Sequence, residues 1–291
     1  MTVGAAGGWD RDDLTQRDEL AVQRVLDRLR DVGRLGVAFS GGVDSSVLLA
    51  LACQALGRDG VLAVLGVSLS LAAAERTAAR ELASMIGAEL LELGTHEQER
   101  EEYRRNGPDR CFHCRNELFT RITDQVVTSQ GLRAVAYGEN ADDARRRDRP
   151  GALAATRHQV LRPLADAGMG KAAVRRVARS LGLPCADKPA APCLASRVPH
   201  FQVVEPSKLR QIEQAECALR RLGFEEVRVR HHGEIARIEV PLADVPRAAS
   251  DFVRTEILGA VRTAGFRFVA LDLAGIQSGA FTLPFVVPDR V

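Results

Sequence analysis

The chain has 291 residues, enough for two domains at roughly 150 residues each. Hydrophobic residues make up 46% and charged residues 27%, so a full core is expected and disorder is confined to the ends. A net charge of +2 and an aromatic content of 4% exclude a strongly basic nucleic-acid binder with stacking platforms. No apolar run nears the ~20 residues of a membrane span, and no basic-then-apolar leader opens the chain. A cytoplasmic protein is expected, with neither nucleic acid nor membrane among its partners.

The first ten or so residues, rich in Gly and Ala, read as a loose terminus. Residues 11–31 predict a charged helix with an apolar stripe through Leu20, Val25, Leu26 and Leu29. Residues 35–39 read as a buried strand running into Ser-Gly-Gly, 44–56 as a helix, 61–67 as a second strand, 72–86 as a helix and 89–93 as a third strand. Short apolar runs alternating with longer helices predict an α/β domain, a parallel sheet with helices on both faces. Residues 111–127 predict another helix and 134–137 another strand. Residues 141–162, rich in Arg, Asp and Gly and poor in periodicity, read as a long functional loop. A helix over 171–181 is closed by Gly182 and Pro184, and 184–199, with four prolines and two cysteines, reads as a linker or active-site loop.

Beyond it the pattern changes. A helix is predicted over 207–222, then alternating strands over 227–230 and 235–240 joined by a hairpin through His231-His232-Gly233-Glu234. Residues 242–263 read as largely helical and 268–273 as a strand. This is a smaller C-terminal α+β domain, so the expected domains are 1–199 and 200–291.

The sharpest signal is Ser40-Gly41-Gly42-Val43-Asp44-Ser45-Ser46, between a buried strand and a helix. Gly41 and Gly42 let backbone approach an anion closely. The helix that follows offers free N–H groups and a positive dipole end. Ser40, Ser45 and Ser46 add hydroxyl donors, and Asp44 either holds a divalent cation bridging the phosphates or caps the helix. No Gly-Lys-Ser/Thr follows, and the pattern is not Gly-x-Gly-x-x-Gly. A plain Gly-rich turn is the competing reading; the strand–loop–helix setting favours phosphate. These residues resemble the PP-loop of the ATP pyrophosphatases, which include GMP, NAD and asparagine synthetases and several tRNA-thiolating enzymes. The resemblance implies an adenine nucleotide alpha-hydrolase-like fold, with ATP cut to AMP and pyrophosphate through an adenylated carboxylate or carbonyl.

Six cysteines in a chain of this length, without a leader, do not suggest a disulfide framework. Cys53 and Cys217 fall on helices and read as small core residues, and Cys185 as core or loop packing. Cys111-Phe112-His113-Cys114 lies at a helix start, where a thiolate is favoured. One such motif fits a redox pair, half a metal site or coincidence. Cys193 lies between Lys188 and Arg197, whose charges also favour thiolate.

The string Cys193-Leu194-Ala195-Ser196-Arg197 after Lys188-Pro189 resembles the LarE-type ATP-dependent sacrificial sulfur transferases. So do Gly138-Glu139-Asn140-Ala141-Asp142-Asp143, Arg149-Pro150-Gly151, Arg162-Pro163-Leu164 and Arg237-Ile238-Glu239. The resemblance places Ser40, Gly41, Gly42, Asp44, Ser45, Ser46, Gly138 and Arg197 at ATP, with Mg²⁺ on Asp44, and makes Cys193 the catalytic residue. It implies a nicotinate mononucleotide derivative whose carboxylate is adenylated and then thiolated, a step toward the nickel-pincer cofactor of lactate racemase. It also implies a homo-oligomer. Sulfur comes either from Cys193 itself, left as dehydroalanine, or from a 4Fe–4S cluster held by Cys111, Cys114 and Cys193; three thiolates leave one iron open, so the cluster form is favoured.

In the second domain Glu216 falls in the apolar stripe of Leu209, Ile212 and Leu219, where a carboxylate needs a charged partner or a metal. Arg228, Arg230, Arg237 and Glu239 share one strand face. Taken alone this is a solvated face with one salt bridge; the resemblance raises Glu216, Arg228 and Glu239 as ligands of phosphate or a metal near Cys193. Two departures stand out: Arg115 where the family often has Lys, and Gln277 in Gly275-Ile276-Gln277-Ser278-Gly279 where it has Arg. The rival readings are a tRNA thiolase, which needs a large basic surface, and a non-catalytic nucleotide or cluster scaffold, which needs no activated thiolate.

Overall fold

The computed structural model describes residues 14–146, 150–189 and 191–277. The chain forms two compact units. The first takes Met1–Ser68, Ala73–His96 and Cys111–Ala191; the second takes Leu69–Ala72, Glu97–Arg110 and Pro192–Val291.

The first unit begins with α1 (Gln16–Leu29). Thr15 and Asp18 cap it reciprocally, each side chain accepting from the other's amide. Asp18 is buried and receives Arg176 bidentately at 2.8 and 2.9 Å, which holds its carboxyl down at about 2. Ala21, Val22, Val25 and Leu29 form the buried stripe. Leu20, expected within it, is 54% exposed, because the core-facing ridge runs through positions 18, 22, 25 and 29 instead.

The strands β1 (Leu35–Ala38), β2 (Val61–Val67), β3 (Glu89–Gly94) and β4 (Ala134–Tyr137) make a parallel sheet in the order β3-β2-β1-β4. The two middle strands are apolar along almost their whole length, as strands covered on both faces must be. Between strands run α2 (Val43–Leu56), α3 (Ala73–Ile86) and α4 (Arg110–Arg121). β1 pairs with β2 on one side and β4 on the other, so sheet growth reverses at β1. The carboxyl end of the strand at such a reversal is where open α/β sheets hold ligands. Residues 40–46 lie at that end.

Two stretches differ from the sequence-based expectation. Periodicity predicts one α-helix over 111–127, but α4 gives way to a π-helical segment, Ile122–Val127. Thr123 turns its hydroxyl back to Phe119 O at 2.9 Å there, a local competitor for helix bonding. The described parts of 141–162 are not a loop. Ala141–Ala144 is a helical turn, α5 (Pro150–Arg157) is a short helix, and Leu161 bridges Ala136 beside β4. α5 buries only Gly151, Ala154 and Ala155, so no stripe of large apolar residues marks it in the sequence. α6 (Lys171–Ser180) follows as expected.

In the second unit α7 (Pro206–Arg221) and α8 (Asp251–Thr263) pack on a three-stranded sheet of β5 (Arg228–His232), β6 (Ile235–Glu239) and β7 (Phe268–Leu271). β5 and β6 form an antiparallel hairpin, and β7 adds parallel to β6. The hairpin link is Gly233-Glu234, since His231 and His232 still pair with Ala236 and Ile235. Residues 242–263 are not one helix: Val245–Ala249 ends at Ser250, whose extended backbone starts α8 afresh. Leu219, Phe224, Val229, Ile238, Val261 and Phe266 centre the core. Leu69–Ala72 joins this unit through Ser70, whose hydroxyl lies 2.6 Å from that of Tyr103. Among the described residues no helix is long and apolar enough to cross a membrane.

Candidate active site

In the first unit residues 40–46 run from β1 into α2. Gly41 has φ +70°, and a Cβ there would press on Ala79 at 3.1 Å. Gly42 caps α2 without a side chain, so the first-turn amides and the positive helix end are available to an anion. Ser45 and Ser46, expected as phosphate donors, turn their hydroxyls onto Gly42 O, each at 2.9 Å. The Ser40 hydroxyl lies 3.2 Å from that of Ser45. The loop is therefore braced from within.

The end of β4 comes against this loop. A Cβ on Gly138 would fall 2.5 Å from Ser45 N and 2.7 Å from Ser45 Cα, so only glycine permits the approach. Asp44 accepts from Asn140 Nδ2 at 3.0 Å and from Lys171 Nζ at 2.5 Å. Asn140 Oδ1 in turn accepts from the Asp142 and Asp143 amides. The Gly138–Asp143 stretch thus supplies one close approach and one orienting amide. Lys171, paired with Asp44 beside the loop, is a candidate site residue that sequence reasoning misses. Its signal is a lysine at the first position of α6, where the helix dipole disfavours a cation. Its partner, 127 positions away, leaves no trace in sequence.

Arg115 lies over the Tyr137 ring, 5.3 Å from its centre, and Gly151 leaves room for it: a Cβ there would meet the Arg115 side chain at 2.8 Å. A planar guanidinium stacks in a way an ammonium does not. Arg149, from the same motif, lies outside the described residues. Cys185 is buried, and burial pushes its thiol up. Cys53 is half-buried, with its thiol raised by burial to about 11, which suits packing; Cys217 is also half-buried.

Cys111 is exposed and Cys114 half-buried in the first turns of α4. Among the described residues no group of three or more His, Cys, Asp and Glu stands ready to hold a metal ion. Cys111 and Cys114 stand one turn apart in the first unit, and Cys193, the third thiol expected at a cluster, belongs to the second. A Mg²⁺ ion fits differently: it commonly takes one or two carboxylates and completes its shell with substrate phosphates. Asp44 at the loop suits that pattern.

In the second unit Cys193 is exposed and precedes a 3₁₀ turn, Leu194–Arg197. Leu194 N donates to Ser70 O at 2.9 Å. Arg197 is buried, with Nη1 donating to Pro192 O at 2.6 Å and to Cys193 O at 3.4 Å. Its Nε and Nη2 reach the two oxygens of Glu216 at 2.8 and 3.3 Å. Its donors are thus spent on the loop and on Glu216. Lys188, which the sequence sets beside Cys193, pairs with Glu75 at 2.6 Å in the first unit.

Glu216 is buried in the α7 stripe, as predicted, and its charged partners are now explicit. It also accepts from Arg220 at 2.9 Å and from Val229 N at 3.1 Å. Removing one member of such a set leaves a buried charge unanswered. Glu216→Ala is expected to destabilise the protein by about 3–5 kcal/mol in urea unfolding.

The strand face does gather Arg228, Arg230, Arg237 and Glu239, but it is not solvated. Arg228 is 5%, Arg230 3% and Glu239 0% exposed. Arg230 pairs with Glu239 at 2.9 and 2.7 Å, and Arg237 with Glu239 at 3.3 Å and with Asp272. Glu216 and Glu239 are thus occupied by guanidinium groups. Arg228 differs: its nearest carboxylate is Glu226 at 3.7 Å, and Nη1 donates to Gln277 O at 3.0 Å. Burial, then the charges of Arg230 and Arg197, push its pKa down. That leaves excess positive potential, which an anion would relieve. The Gln277 contact uses a main-chain oxygen, so it does not depend on which side chain stands there. Ser278 and Gly279 lie outside the described residues.

A parallel sheet that reverses at β1, a glycine loop without a following lysine, and a glycine-faced β4 end form an α/β nucleotide-binding domain of the kind that PP-loop enzymes share. Residues 17–128 match the asparagine synthase family. The chain is 37% identical over 249 residues to an uncharacterized protein of Synechocystis sp., covering 86% of this chain and 92% of that one. It is 34% identical over 253 residues to the pyridinium-3,5-bisthiocarboxylic acid mononucleotide synthase of Lactiplantibacillus plantarum, covering 86% and 90%. It is 28% identical over 169 residues to an uncharacterized protein of Methanocaldococcus jannaschii, covering 58% and 64%. The chain belongs to the LarE-type ATP-dependent sulfur transferases of the PP-loop superfamily. It is therefore an ATP-dependent sulfurtransferase.

Proposed function

We propose that the enzyme adenylates a carboxylate of a pyridinium mononucleotide and converts it to a thiocarboxylate, with Cys193 as the sulfur donor. The name of the Lactiplantibacillus plantarum relative supports the substrate class. The observation that carries the donor reading is an exposed thiol on a loop whose carbonyls are held by buried arginines. ATP binds at residues 40–46, its phosphates on the α2 amides, with Mg²⁺ on Asp44. Lys171 and Asn140 orient that carboxylate. Arg228 holds the phosphate of the mononucleotide, the anion that its surplus positive potential calls for.

The chemistry balances in three steps. The substrate carboxylate attacks the α-phosphorus and pyrophosphate leaves. The Cys193 thiolate attacks the acyl carbon and AMP leaves. A base then takes the Cys193 α-proton, the Cβ–S bond breaks, and thiocarboxylate departs from a dehydroalanine. The test is the intact mass of the protein after one anaerobic turnover with ATP, Mg²⁺ and the dicarboxylated nicotinate mononucleotide. A loss of about 34 Da mapped to Cys193, the mass of H₂S, is the expected result of a nucleophile that keeps none of its sulfur. Thiolated product from protein of unchanged mass would overturn the donor reading and point to sulfur carried on Cys111, Cys114 and Cys193 together. ATP cleavage that requires tRNA would point to a thiolase instead.

A further inference from the structure

The loop that carries Cys193 has more carbonyls than its own turn can use. The 3₁₀ turn spends Ser196 N on Cys193 O and Val198 N on Ala195 O. The remaining demand is met by three guanidinium groups. Arg197 takes Pro192 O and Cys193 O, Arg230 Nη1 takes Ser196 O at 3.0 Å, and Arg110 Nη1 takes Ala195 O at 2.9 Å. Arg197 and Arg230 lie on segments whose residue pattern already marks them. Arg110 stands just before the Cys111–Cys114 motif and reaches across 85 positions of sequence.

Arg110 is itself fixed by Asn106. Its Nη1 donates to Asn106 Oδ1 at 2.5 Å. Asn106 Nδ2 donates to Val198 O at 3.2 Å and Pro199 O at 2.7 Å, closing the loop from its far side. Asn106 O accepts from Phe201 N and from His200 Nδ1, each at 3.1 Å. Asn106 is fully buried and has φ +58°, a left-handed backbone that few residues other than glycine adopt. Asparagine is among the residues that take this conformation most readily after glycine. Here every polar end of the side chain is engaged with the carrier loop or with Arg110.

We propose that Arg110, fixed by Asn106, is a positioning residue: it holds the Cys193 loop in the conformation that delivers sulfur to the adenylated substrate. This rests on Cys193 being the sulfur-bearing residue. Transfer needs the sulfur within attacking distance of the acyl carbon, and a 1 Å misplacement costs about 10²-fold. Adenylation, on the proposed reading, uses residues 40–46 and the Arg228 substrate contact, and the Arg110 bonds to Asn106 and Ala195 involve neither. Loss of Arg110 should therefore uncouple the two steps.

The experiment measures thiolated product per pyrophosphate released, with ATP, Mg²⁺ and the dicarboxylated nicotinate mononucleotide, alongside the melting temperature. In Arg110→Met the ratio is expected to fall roughly 10- to 100-fold. Arg110→Lys is expected to recover most of it, because the bonds to Ala195 O and Asn106 Oδ1 leave the same nitrogen, which an ammonium can replace. Asn106→Gly keeps the left-handed backbone and loses the clamp, so its ratio falls too. It carries the test should Arg110→Met not fold. A wild-type ratio in Arg110→Met and Asn106→Gly would overturn the proposal. So would pyrophosphate and product falling in parallel with the melting temperature, or Lys performing no better than Met. Cys193→Ser runs beside them. If it still yields thiolated product, the reading of Cys193 has failed, whatever the Arg110 variants do.

Discussion

Cys193→Ser is expected to lose all thiolated product while still releasing pyrophosphate. The substitution changes one atom on an exposed side chain, so packing is not disturbed. The contacts that shape the loop are to main-chain carbonyls at positions 192, 193, 195 and 196, and none uses the sulfur. The turn should therefore keep its form with serine in place. An Oγ can still attack an acyl adenylate, but the resulting ester holds no sulfur to surrender. On the proposed reading, pyrophosphate release depends on residues 40–46 and on substrate held at Arg228, and neither contact uses the Cys193 sulfur. Separating the two products chromatographically checks both halves at once. Thiolated product from Cys193→Ser would remove this residue from sulfur delivery in either form, as donor or as cluster ligand. Absence of pyrophosphate would show that the loop is needed before adenylation.

The parts of this enzyme that are legible in sequence are those governed by local periodicity and backbone chemistry. The strand over 61–67 and that over 134–137 stand where the apolar runs place them. The glycine loop between β1 and α2 is legible because glycines at 41 and 42, set between an apolar run and a helical one, mark the turn, and Gly42 leaves the helix start without a side-chain cap. Glu216 is legible as a buried carboxylate from its position in a helical stripe, though its partners are not.

What sequence hides is long-range and mostly carried by arginine. Arg197 reads as a charge beside a cysteine; folded, it bonds carbonyls and anchors to Glu216. Arg230 and Glu239 read as surface residues of an alternating strand, yet both are buried. A guanidinium can be enclosed when a carboxylate answers it, and the pairing register of β5 and β6 decides that, not composition. Asn106 and Arg110 stand just before and at the start of α4, and their meaning appears only when residues 195–199 arrive. α5 is hidden for the opposite reason: its buried face is Gly and Ala, which carry too little hydrophobicity to register.

Gly138→Ala is expected to cut ATP cleavage by about 10²-fold or more with little change in melting temperature. The reason is steric rather than conformational. Gly138 is not among the glycines with positive φ, so alanine suits its backbone. The added Cβ, however, would lie 2.5 Å from Ser45 N and 2.7 Å from Asp44 C. These are main-chain atoms at the start of α2, not the yielding end of a long side chain. Either β4 or the phosphate loop must retreat, by a distance of the order at which positioning fails. The loop is the more exposed of the two, while Tyr137 and Asn140 on either side of Gly138 are buried. The loop is thus expected to give way, carrying Asp44 from Asn140 and Lys171. Pyrophosphate release measured against nucleotide concentration separates the possibilities. A fall in kcat at saturating ATP marks a misplaced α-phosphorus, and a rise in KM alone marks weakened binding at an otherwise intact loop. Wild-type values for both would mean that β4 does not confine the phosphate loop, and Gly138 would leave the site.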